Sequence, residues 1–400
     1  MIRGRKMIYK SKRIICEDKI VDGYLIIENG KILAIEEAKK DLKEDIDFGN
    51  NRIIPGIFDT HNHGVQGYSL MGSASQDDIK GYLKGLASQG VTNIFPTCSI
   101  DLISKISEMM NEEQDGAKIV GIHSEGPWLN RVGEKGTKTG WPAVDINVAK
   151  KMIEDGGGNL KLVALAPEIP GIDKIMEVFL DNNVKVAVAH SDMNYAETKK
   201  AIDKGITVAT HLCNVMTGLH HRDVGVLGAC LLDDRVDCEL ICDGMHVSLE
   251  MIQILLNVKD NNRVMMISDC TPMSGAPVGR YKGFGPGMDI INVDENGFVL
   301  SDEGRLCGSS QGVIYGISNL VEKLHMPIEK VVKLSSLNPS RVYGLDSTKG
   351  SLTVGKDGDF AVITDDYKVI QTYSEGRKVF DKDIDKNIFN PRFYESNVLE

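Results

Sequence analysis

The chain has 400 residues, of which 42% are hydrophobic and 26% charged, and its formal net charge is -11 at pH 7. This composition excludes a disordered or collagen-like protein, and the acidic balance argues against nucleic acid or an anionic membrane as the main partner. A chain of this length predicts one large domain with a smaller one beside it.

Targeting and redox signals are weak. The basic start is not followed by an apolar run of signal-peptide length, and no stretch reaches membrane-spanning length, which predicts a cytoplasmic protein. The eight cysteines form no CxxC pair and mostly occupy apolar runs. We therefore expect buried free thiols rather than disulfides.

Both ends of the chain are typical of β structure. The runs KRIICE, YLIIENG and KILAIEE near the start are separated by Asp-Gly and Asn-Gly turn signals. Short apolar runs with similar turns return after Leu345. The sequence therefore predicts that residues 1–52 and 344–400 form one small β-sandwich domain.

Residues 53–343 alternate apolar strand candidates with helical spacing. Helical spacing occurs at 76–89, 173–182, 195–204 and 248–257. The strand candidates are residues 53–59, 92–96, 118–123, 161–166, 184–189, 206–210, 238–242 and 264–268. Strand-helix alternation implies a parallel sheet, and eight units predict an α/β fold of the TIM type, a (β/α)8 barrel. A doubly wound open sheet is the alternative.

Metal-binding or ionisable side chains follow six of these strands. They are His61, His63, Glu125, His190, His211, Asp243 with His246, and Asp269. A single residue of this kind is more often a hydrogen-bonded rim residue. Because the carboxyl ends of barrel strands converge on one mouth, the coincidence across six strands favours a shared metal centre.

Two groups within this set have ligand spacing. His61 and His63 stand at i and i+2, so on an extended chain they leave the same face and could hold one ion, with a solvated turn as the alternative. His190 and His211 are 21 residues apart, the length of one βα unit. With Glu125, these two imidazoles have the make-up of a hydrolytic metal site with an open position.

Two further residues have both a chemical and a structural interpretation. Asp269 ends the eighth strand and is a metal ligand or a general base, or alternatively a helix N-cap. Arg222, in HHRDVG, suits bidentate recognition of a phosphate or carboxylate. A surface salt bridge is its structural alternative.

Over nearly its whole length the sequence resembles the N-acetylglucosamine-6-phosphate deacetylase family of the amidohydrolase superfamily. The motifs that carry the resemblance are PGIFDTHNHG, GIHSEGPWLN, VAHS, THLCNVMTGLHHRDVGVLGA, ICDGMHV, ISDC, LCGSS and SLNPSRVYGL. The resemblance implies a (β/α)8 barrel with a β-sandwich built from both chain ends. It also implies a metal-dependent hydrolase of amino-sugar catabolism that converts N-acetylglucosamine 6-phosphate into glucosamine 6-phosphate and acetate.

The resemblance also implies roles for individual residues. Glu125, His190 and His211 correspond to the primary metal ligands, and Asp269 corresponds to the catalytic acid/base. His246 corresponds to a catalytic histidine that polarises the acetyl carbonyl. The residues implied to contact the sugar phosphate are Thr137, Lys138, Asn214, Val215, Arg222, His246, Leu306, Cys307 and Gly308.

The chain departs from the family pattern at two places. Residues 136–138 read GTK where many members have Gly-Thr-His or Gly-Ala-His, so Lys138 stands where a substrate-contacting histidine is common. His61 and His63 are present, whereas some members lack this pair and bind one ion. We expect one or two divalent ions per subunit, with zinc or iron favoured and Glu125 bridging where two bind.

The expected partners are a small sugar phosphate and a second copy of the chain, since Arg222 is implied to serve the neighbouring subunit's site in a homodimer. Two alternatives stay open. One is a deacetylase of N-acetylgalactosamine 6-phosphate or another N-acyl sugar phosphate. The other is a non-catalytic amidohydrolase-like binding protein, which would be expected to lack ligands that this sequence contains.

Overall fold

A computed structural model describes residues 6–39, 42–133, 136–285 and 288–399. Residues 1–5, 40, 41 and 400 of the predicted small domain lie outside the described residues, as do 134, 135, 286 and 287 of the predicted barrel.

The strands are, in chain order, β1 (Met7–Ile15), β2 (Ile20–Glu28), β3 (Lys31–Glu37), β4 (Ile46–Asp47), β5 (Arg52–Pro55), β6 (Ile57–Asn62), β7 (Gly64–Val65), β8 (Tyr68–Ser69), β9 (Val91–Pro96), β10 (Lys118–Ile119), β11 (Ile122–Glu125), β12 (Arg131–Val132), β13 (Thr137–Lys138), β14 (Leu160–Leu165), β15 (Lys185–Val188), β16 (Ile206–Ala209), β17 (Asp237–Ile241), β18 (Val264–Ile267), β19 (Gly279–Gly285), β20 (Met288–Val293), β21 (Val299–Ser301), β22 (Phe360–Ile363), β23 (Val369–Ser374), β24 (Arg377–Asp381) and β25 (Val398–Leu399). The α-helices are α1 (Gln76–Ala87), α2 (Ile103–Met109), α3 (Ile146–Gly156), α4 (Asp173–Asp181), α5 (Tyr195–Asp203), α6 (Gly225–Leu232), α7 (Leu249–Val258), α8 (Val313–Ser318), α9 (Ile328–Val332), α10 (Asn338–Val342) and α11 (Pro391–Asn397).

The central strands are parallel and form two sheets. One has the order β11-β14-β15-β16-β17-β18, and the other has the order β10-β9-β6. Isolated parallel bridges join the sheets at both edges, between Thr97 and His123 and between Asn62 and Cys270. The predicted α/β alternation is confirmed, and the carboxyl ends of all these strands lie on the same side because the strands run in the same direction.

The helices begin where local sequence signals place them. Ser75 and Asp78 form a capping box at the start of α1, and Asn194 and Glu197 form another at α5. These reciprocal bonds satisfy backbone N–H groups that a helix leaves unpaired in its first turn. The four segments with helical spacing correspond to α1, α4, α5 and α7, with ends that differ by at most two residues.

The two chain ends share one antiparallel-rich sheet in the order β24-β23-β22-β5-β1-β2-β3, with β4 beside β1. Its junction is the antiparallel pairing of β5 with β22. The Tyr9 ring on β1 lies 5.1 Å from the rings of both Phe360 and Tyr373. This sheet therefore has an apolar cluster of its own, apart from the main core around the parallel strands.

A second antiparallel sheet follows β18, and the sequence patterns did not indicate it. It has the order β21-β20-β19-β25, so the far C-terminus pairs with residues 280 and 281. The local sequence was uninformative because the segment is rich in glycine and its last partner is more than a hundred positions away.

Two expectations about the whole chain are met by the described residues. All eight cysteines are free, and seven of them are buried. Within the described ranges, no helix combines the length and the apolar character that a membrane crossing requires.

Candidate metal centre

Six side chains meet at the carboxyl ends of the parallel strands, and we call them the donor cluster. They form two triads, His61 with His63 and Asp269, and Glu125 with His190 and His211. Within each triad the ligand-type atoms lie within 4.8 Å of one another. The convergence expected at the strand ends is therefore present.

Glu125 belongs to the second triad and lies between the two pairs of histidines, with one oxygen turned toward each pair. Its Oε1 is 2.8 Å from His190 Nε2 and 2.9 Å from His211 Nε2. Its Oε2 is 3.1 Å from His63 Nε2 and 3.7 Å from His61 Nε2. A carboxylate in this position can bridge two cations.

Within each pair of histidines, the two Nε2 atoms face each other. His190 Nε2 lies 3.1 Å from His211 Nε2, and His61 Nε2 lies 3.1 Å from His63 Nε2. The His190 Nδ1–H donates to the backbone oxygen of Arg131 at 2.6 Å, which leaves Nε2 of the neutral ring as an acceptor. Converging lone pairs of this kind fit a divalent cation, and the donor set suits one.

Asp269 completes the first triad. Its Oδ1 lies 3.3 Å from His61 Nε2 and 3.4 Å from His63 Nε2. Burial opposes ionisation of Asp269, but the charges of His61 and His63 outweigh it and hold the pKa of the carboxyl below its usual value. No helix begins after Asp269, because the next element after β18 is the strand β19, so the N-cap interpretation is wrong.

The backbone is strained around the cluster. Residues with positive φ there are His190 (51°), His211 (30°), Cys213 (83°), Val215 (53°) and Asp269 (50°). Side-chain-bearing residues rarely adopt this region, least of all a β-branched one such as Val215. Such strain is maintained only where the surrounding structure imposes it, and it tends to concentrate at functional sites.

Sequence reasoning missed the buried polar groups behind the donors. Asp59 accepts a hydrogen bond from Ser268 Oγ at 2.5 Å, and burial raises the pKa of Asp59 to about 6. His123 is fully buried, and burial holds its pKa well below the usual value. Glu239, on β17, is also fully buried. Asp59 and His123 end apolar runs of the sequence and Glu239 interrupts one, which is the signal that could have indicated them.

His246 pairs with Asp243, the acidic residue that follows β17. Its Nδ1 lies 2.6 Å from Asp243 Oδ2, and Asp243 also accepts the backbone N–H of His246. Burial opposes the charge of Asp243, but hydrogen bonding to His246 lowers its pKa. This carboxylate can stabilise a protonated imidazole that donates from Nε2.

Some residues implied to bind substrate adjoin the donor cluster. Asn214 Nδ2 donates to the backbone oxygen of His211 at 3.2 Å, and Val215 follows it. A parallel bridge joins Cys270 to Ser309 and brings the Leu306, Cys307 and Gly308 stretch beside Asp269. Gly308 has φ 83° and lies where a Cβ would come within 2.2 Å of Thr271 Cγ2, so only glycine fits there.

Other residues of that set lie on exposed loops. Thr137 and Lys138 form β13, whose hairpin with β12 faces solvent, and Lys138 Nζ lies 2.9 Å from Asp192 Oδ2. Arg222 is exposed on the turn closed by the bridge between His220 and Asp223. Among the described residues, no hydrogen bond or ion pair links the Arg222 side chain to the donor cluster.

Two cysteines, Cys213 and Cys270, lie within two residues of His211 and Asp269. Burial raises the pKa of Cys213 and of Cys270 to about 12 each. Because the thiolate is the nucleophilic form, neither is activated toward oxidation at neutral pH.

Comparisons with known proteins show the family of the chain. The model of the amidohydrolase family matches residues 52–379. The chain is 31% identical to N-acetylglucosamine-6-phosphate deacetylase from Vibrio furnissii over 88% of this chain and 90% of that protein. It is 29% identical to N-acetylgalactosamine-6-phosphate deacetylase from Escherichia coli O157:H7, over 92% and 98%. Its structure is similar to that of N-acetylglucosamine-6-phosphate deacetylase from Thermotoga maritima, with a TM-score of 0.76, 28% identity and coverage of 94% and 100%.

Proposed function

The chain belongs to the amidohydrolase family, and on this premise we propose that it hydrolyses N-acetylglucosamine 6-phosphate to glucosamine 6-phosphate and acetate in amino-sugar catabolism. The observation that carries the proposal is the donor cluster, in which Glu125 lies between two pairs of histidines with one oxygen toward each. A complete ligand set is what a hydrolase needs and what a non-catalytic binding protein would not retain.

The donor cluster would hold one or two divalent cations. Glu125, His190 and His211 would hold one, His61 and His63 with Asp269 would hold the other, and Glu125 would bridge. When bound, such ions polarise a carbonyl and acidify water. Imidazole and carboxylate ligands suit zinc or iron, although geometry and cellular supply decide among first-row metals.

Asp269 acts in proton transfer. Its carboxylate lies beside the donors on the side of the first triad, so it can take the proton of the attacking water and deliver it to the leaving amine. His246, held by Asp243, would donate a hydrogen bond to the acetyl oxygen as negative charge develops there. Stabilising that charge with a preorganised donor is often the largest electrostatic contribution to catalysis.

Binding the phosphate group of the substrate requires cationic side chains near the site, because the protein as a whole is acidic. Lys138 and Arg222 are both exposed on loops rather than tied into the core. We propose that Asn214, Val215, Thr137 and the Leu306, Cys307 and Gly308 stretch line the sugar subsite. Arg222 would reach the phosphate bound by the neighbouring subunit of a homodimer, which is consistent with its exposure on the surface turn.

The architecture proposed around this site has two domains. Residues 53–343 would form a (β/α)8 barrel, supported by the bridges that connect the two parallel sheets at both edges. Residues 1–52 with 344–400 would form the small β-sandwich, supported by the contacts of Tyr9 with rings on β22 and β23. Two strands depart from these bounds, since β5 extends the terminal sheet to Pro55 and β25 pairs with β19. The cytoplasmic location stays a prediction.

The test is acetate release from N-acetylglucosamine 6-phosphate by purified protein, with the unphosphorylated sugar and a chelated, metal-restored sample as controls. We expect release that depends on both the phosphate and the metal. Absence of release with metal demonstrably bound would contradict the proposed substrate while leaving the metal centre in place.

The galactosamine epimer is the second candidate, because a deacetylase of N-acetylgalactosamine 6-phosphate is nearly as similar to this chain as the glucosamine enzyme of Vibrio furnissii. Running both epimers in the same assay separates the candidates. A higher kcat/KM for the galacto sugar would replace the first proposal.

A further inference from the structure

Glu239 is a fully buried carboxylate in the middle of β17, next to the donor cluster but outside it. Thr60 Oγ1 donates to its Oε1 at 2.6 Å. Its other oxygen, Oε2, has no hydrogen-bond partner among the described residues. An unsatisfied buried polar atom is costly, so one that persists requires an explanation.

The atom that faces it is also unsatisfied. His61 Nδ1 is buried, lacks a hydrogen-bond partner in the described part of the chain, and lies 3.8 Å from Glu239 Oε2. This separation exceeds an ordinary N–H···O bond of about 2.9 Å by roughly 1 Å. A small shift of the ring or of the carboxylate would satisfy both atoms at once.

The other edge of the same ring faces the donors. His61 Nε2 lies 3.1 Å from His63 Nε2 and 3.3 Å from Asp269 Oδ1. The ring of His123 packs edge-on against His61 at 4.5 Å between centroids and limits its rotation. His61 thus has one nitrogen toward Glu239 and one toward the proposed ion.

We propose that Glu239 is a positioning residue for His61: it accepts the Nδ1–H hydrogen bond, so that the Nε2 lone pair faces the second metal ion. The inference rests on the proposed two-ion site. Thr60 takes part by holding Oε1, which aims Oε2 at the imidazole.

The alternative tautomer shows why this contact matters. Without an acceptor at Nδ1, His61 can carry its proton on Nε2 and donate it to Asp269, and a protonated nitrogen cannot ligate a metal. Carboxylates that orient metal-bound histidines also raise their basicity, and removing such partners commonly weakens metal affinity by about 10- to 100-fold.

The experiment compares metal binding in the wild type, Glu239→Gln, Thr60→Val and a matched control, Asp237→Asn. Asp237 lies two residues earlier on the same strand and the same face, where it pairs with Arg263 at 3.2 Å. Each protein is loaded with Co²⁺, its ion content and two affinities are measured by competition with a chelating dye, and its cobalt absorption bands are recorded.

We expect Glu239→Gln to weaken the binding of one of the two ions by about 10- to 100-fold and to change the absorption bands of that ion alone. Thr60→Val should lower the affinity for the same ion by a smaller factor, and Asp237→Asn should leave both affinities unchanged. Wild-type affinities and bands in Glu239→Gln would overturn the inference. If that variant does not fold, as judged by its circular dichroism melt, unchanged second-ion binding in Thr60→Val overturns it instead.

The same data separate this inference from its premise. A wild type that takes up a single ion, with no change in His61→Asn, would overturn the two-ion site and this inference with it. A failure of acetate release would leave the metal affinities readable, because no substrate enters the measurement.

Discussion

Two groups of buried charges in this molecule are built in opposite ways. In the first, which we call the Lys349 cluster, Lys349 Nζ lies 2.9 Å from Asp359 and 3.0 Å from Asp357, and Asp359 also accepts from Asn93. In the donor cluster, imidazole nitrogens face one another at 3.1 Å and several ring nitrogens have no partner among the described residues.

The difference separates structural from functional burial of charge. In the Lys349 cluster, Lys349 lies between the two aspartates and Lys31 adds a second cation at Asp357. The hydrogen bond from Asn93 joins the cluster to β9, so its charges are compensated within the fold. The donor cluster aims lone pairs at common points, which only an added cation satisfies. Buried charge by itself therefore does not mark a site, whereas buried imidazole nitrogens that converge on one another do.

The largest effect should come from Asp269→Asn, which tests the donor side of the comparison. Without a carboxylate for proton transfer, kcat should fall by roughly 10²- to 10⁴-fold. Ion content should stay near that of the wild type, because five other donors remain. The readouts are acetate release and metal content, and full activity in this variant would remove Asp269 from the mechanism.

Lys349→Met tests whether the Lys349 cluster serves stability alone. Removing one partner of a buried ion cluster leaves its carboxylates uncompensated, so the free energy of unfolding should fall by about 3–5 kcal/mol in urea titrations. Ion content and kcat should not change. Lys151→Met removes an exposed pair with Asp155 and serves as the matched control, which should hardly change stability.

This stability should also depend on pH. Burial opposes the charge of Asp357, but Lys31 and Lys349 outweigh it and place its pKa below the usual 3.8. The contribution is therefore present above that value and is lost as the pH falls through the folded-state pKa. The difference between wild type and Lys349→Met should narrow in acid, and a difference that is constant across pH would contradict the assignment.

Metal removal should lower stability by less than the Lys349→Met substitution does. At a free ion concentration of 100 times Kd, binding stabilises the fold by about 2.7 kcal/mol per site, so chelation should lower the melting temperature. Chelation should lower the stability of the Lys349→Met variant by the same amount as that of the wild type, since the effects of distant sites are additive. A melting temperature indifferent to chelation would mean that the donors need no cation.

Arg222→Ala should have the smallest effect, about 10- to 100-fold in kcat/KM for the phosphorylated sugar, the size expected for a charge-assisted hydrogen bond. The unphosphorylated sugar should be unaffected. Mixing Arg222→Ala with Asp269→Asn subunits sharpens the test. A homodimer that shares Arg222 between subunits regains activity on mixing, whereas an arginine that serves its own site does not.

Prediction from the sequence succeeded where the signal is local. Helical spacing predicted α1, α4, α5 and α7. The position of His190, His211 and Glu125 directly after apolar runs predicted that these side chains lie close together, as they do. It failed where a partner is distant. The pairing of β19 with β25 joins segments more than a hundred residues apart, and Glu239 looked like any polar residue in a strand.

The amino-acid sequence determined the strand-helix alternation, the set of candidate ligands and the family, because periodicity, residue type and motif spacing are properties of the chain itself. Only the tertiary structure decided that Glu125 turns one oxygen to the histidines of each triad, and that the nitrogen of His61 opposite the donors faces Glu239. These are differences of a few tenths of an ångström to an ångström between side chains on different strands, and only packing sets distances of that kind.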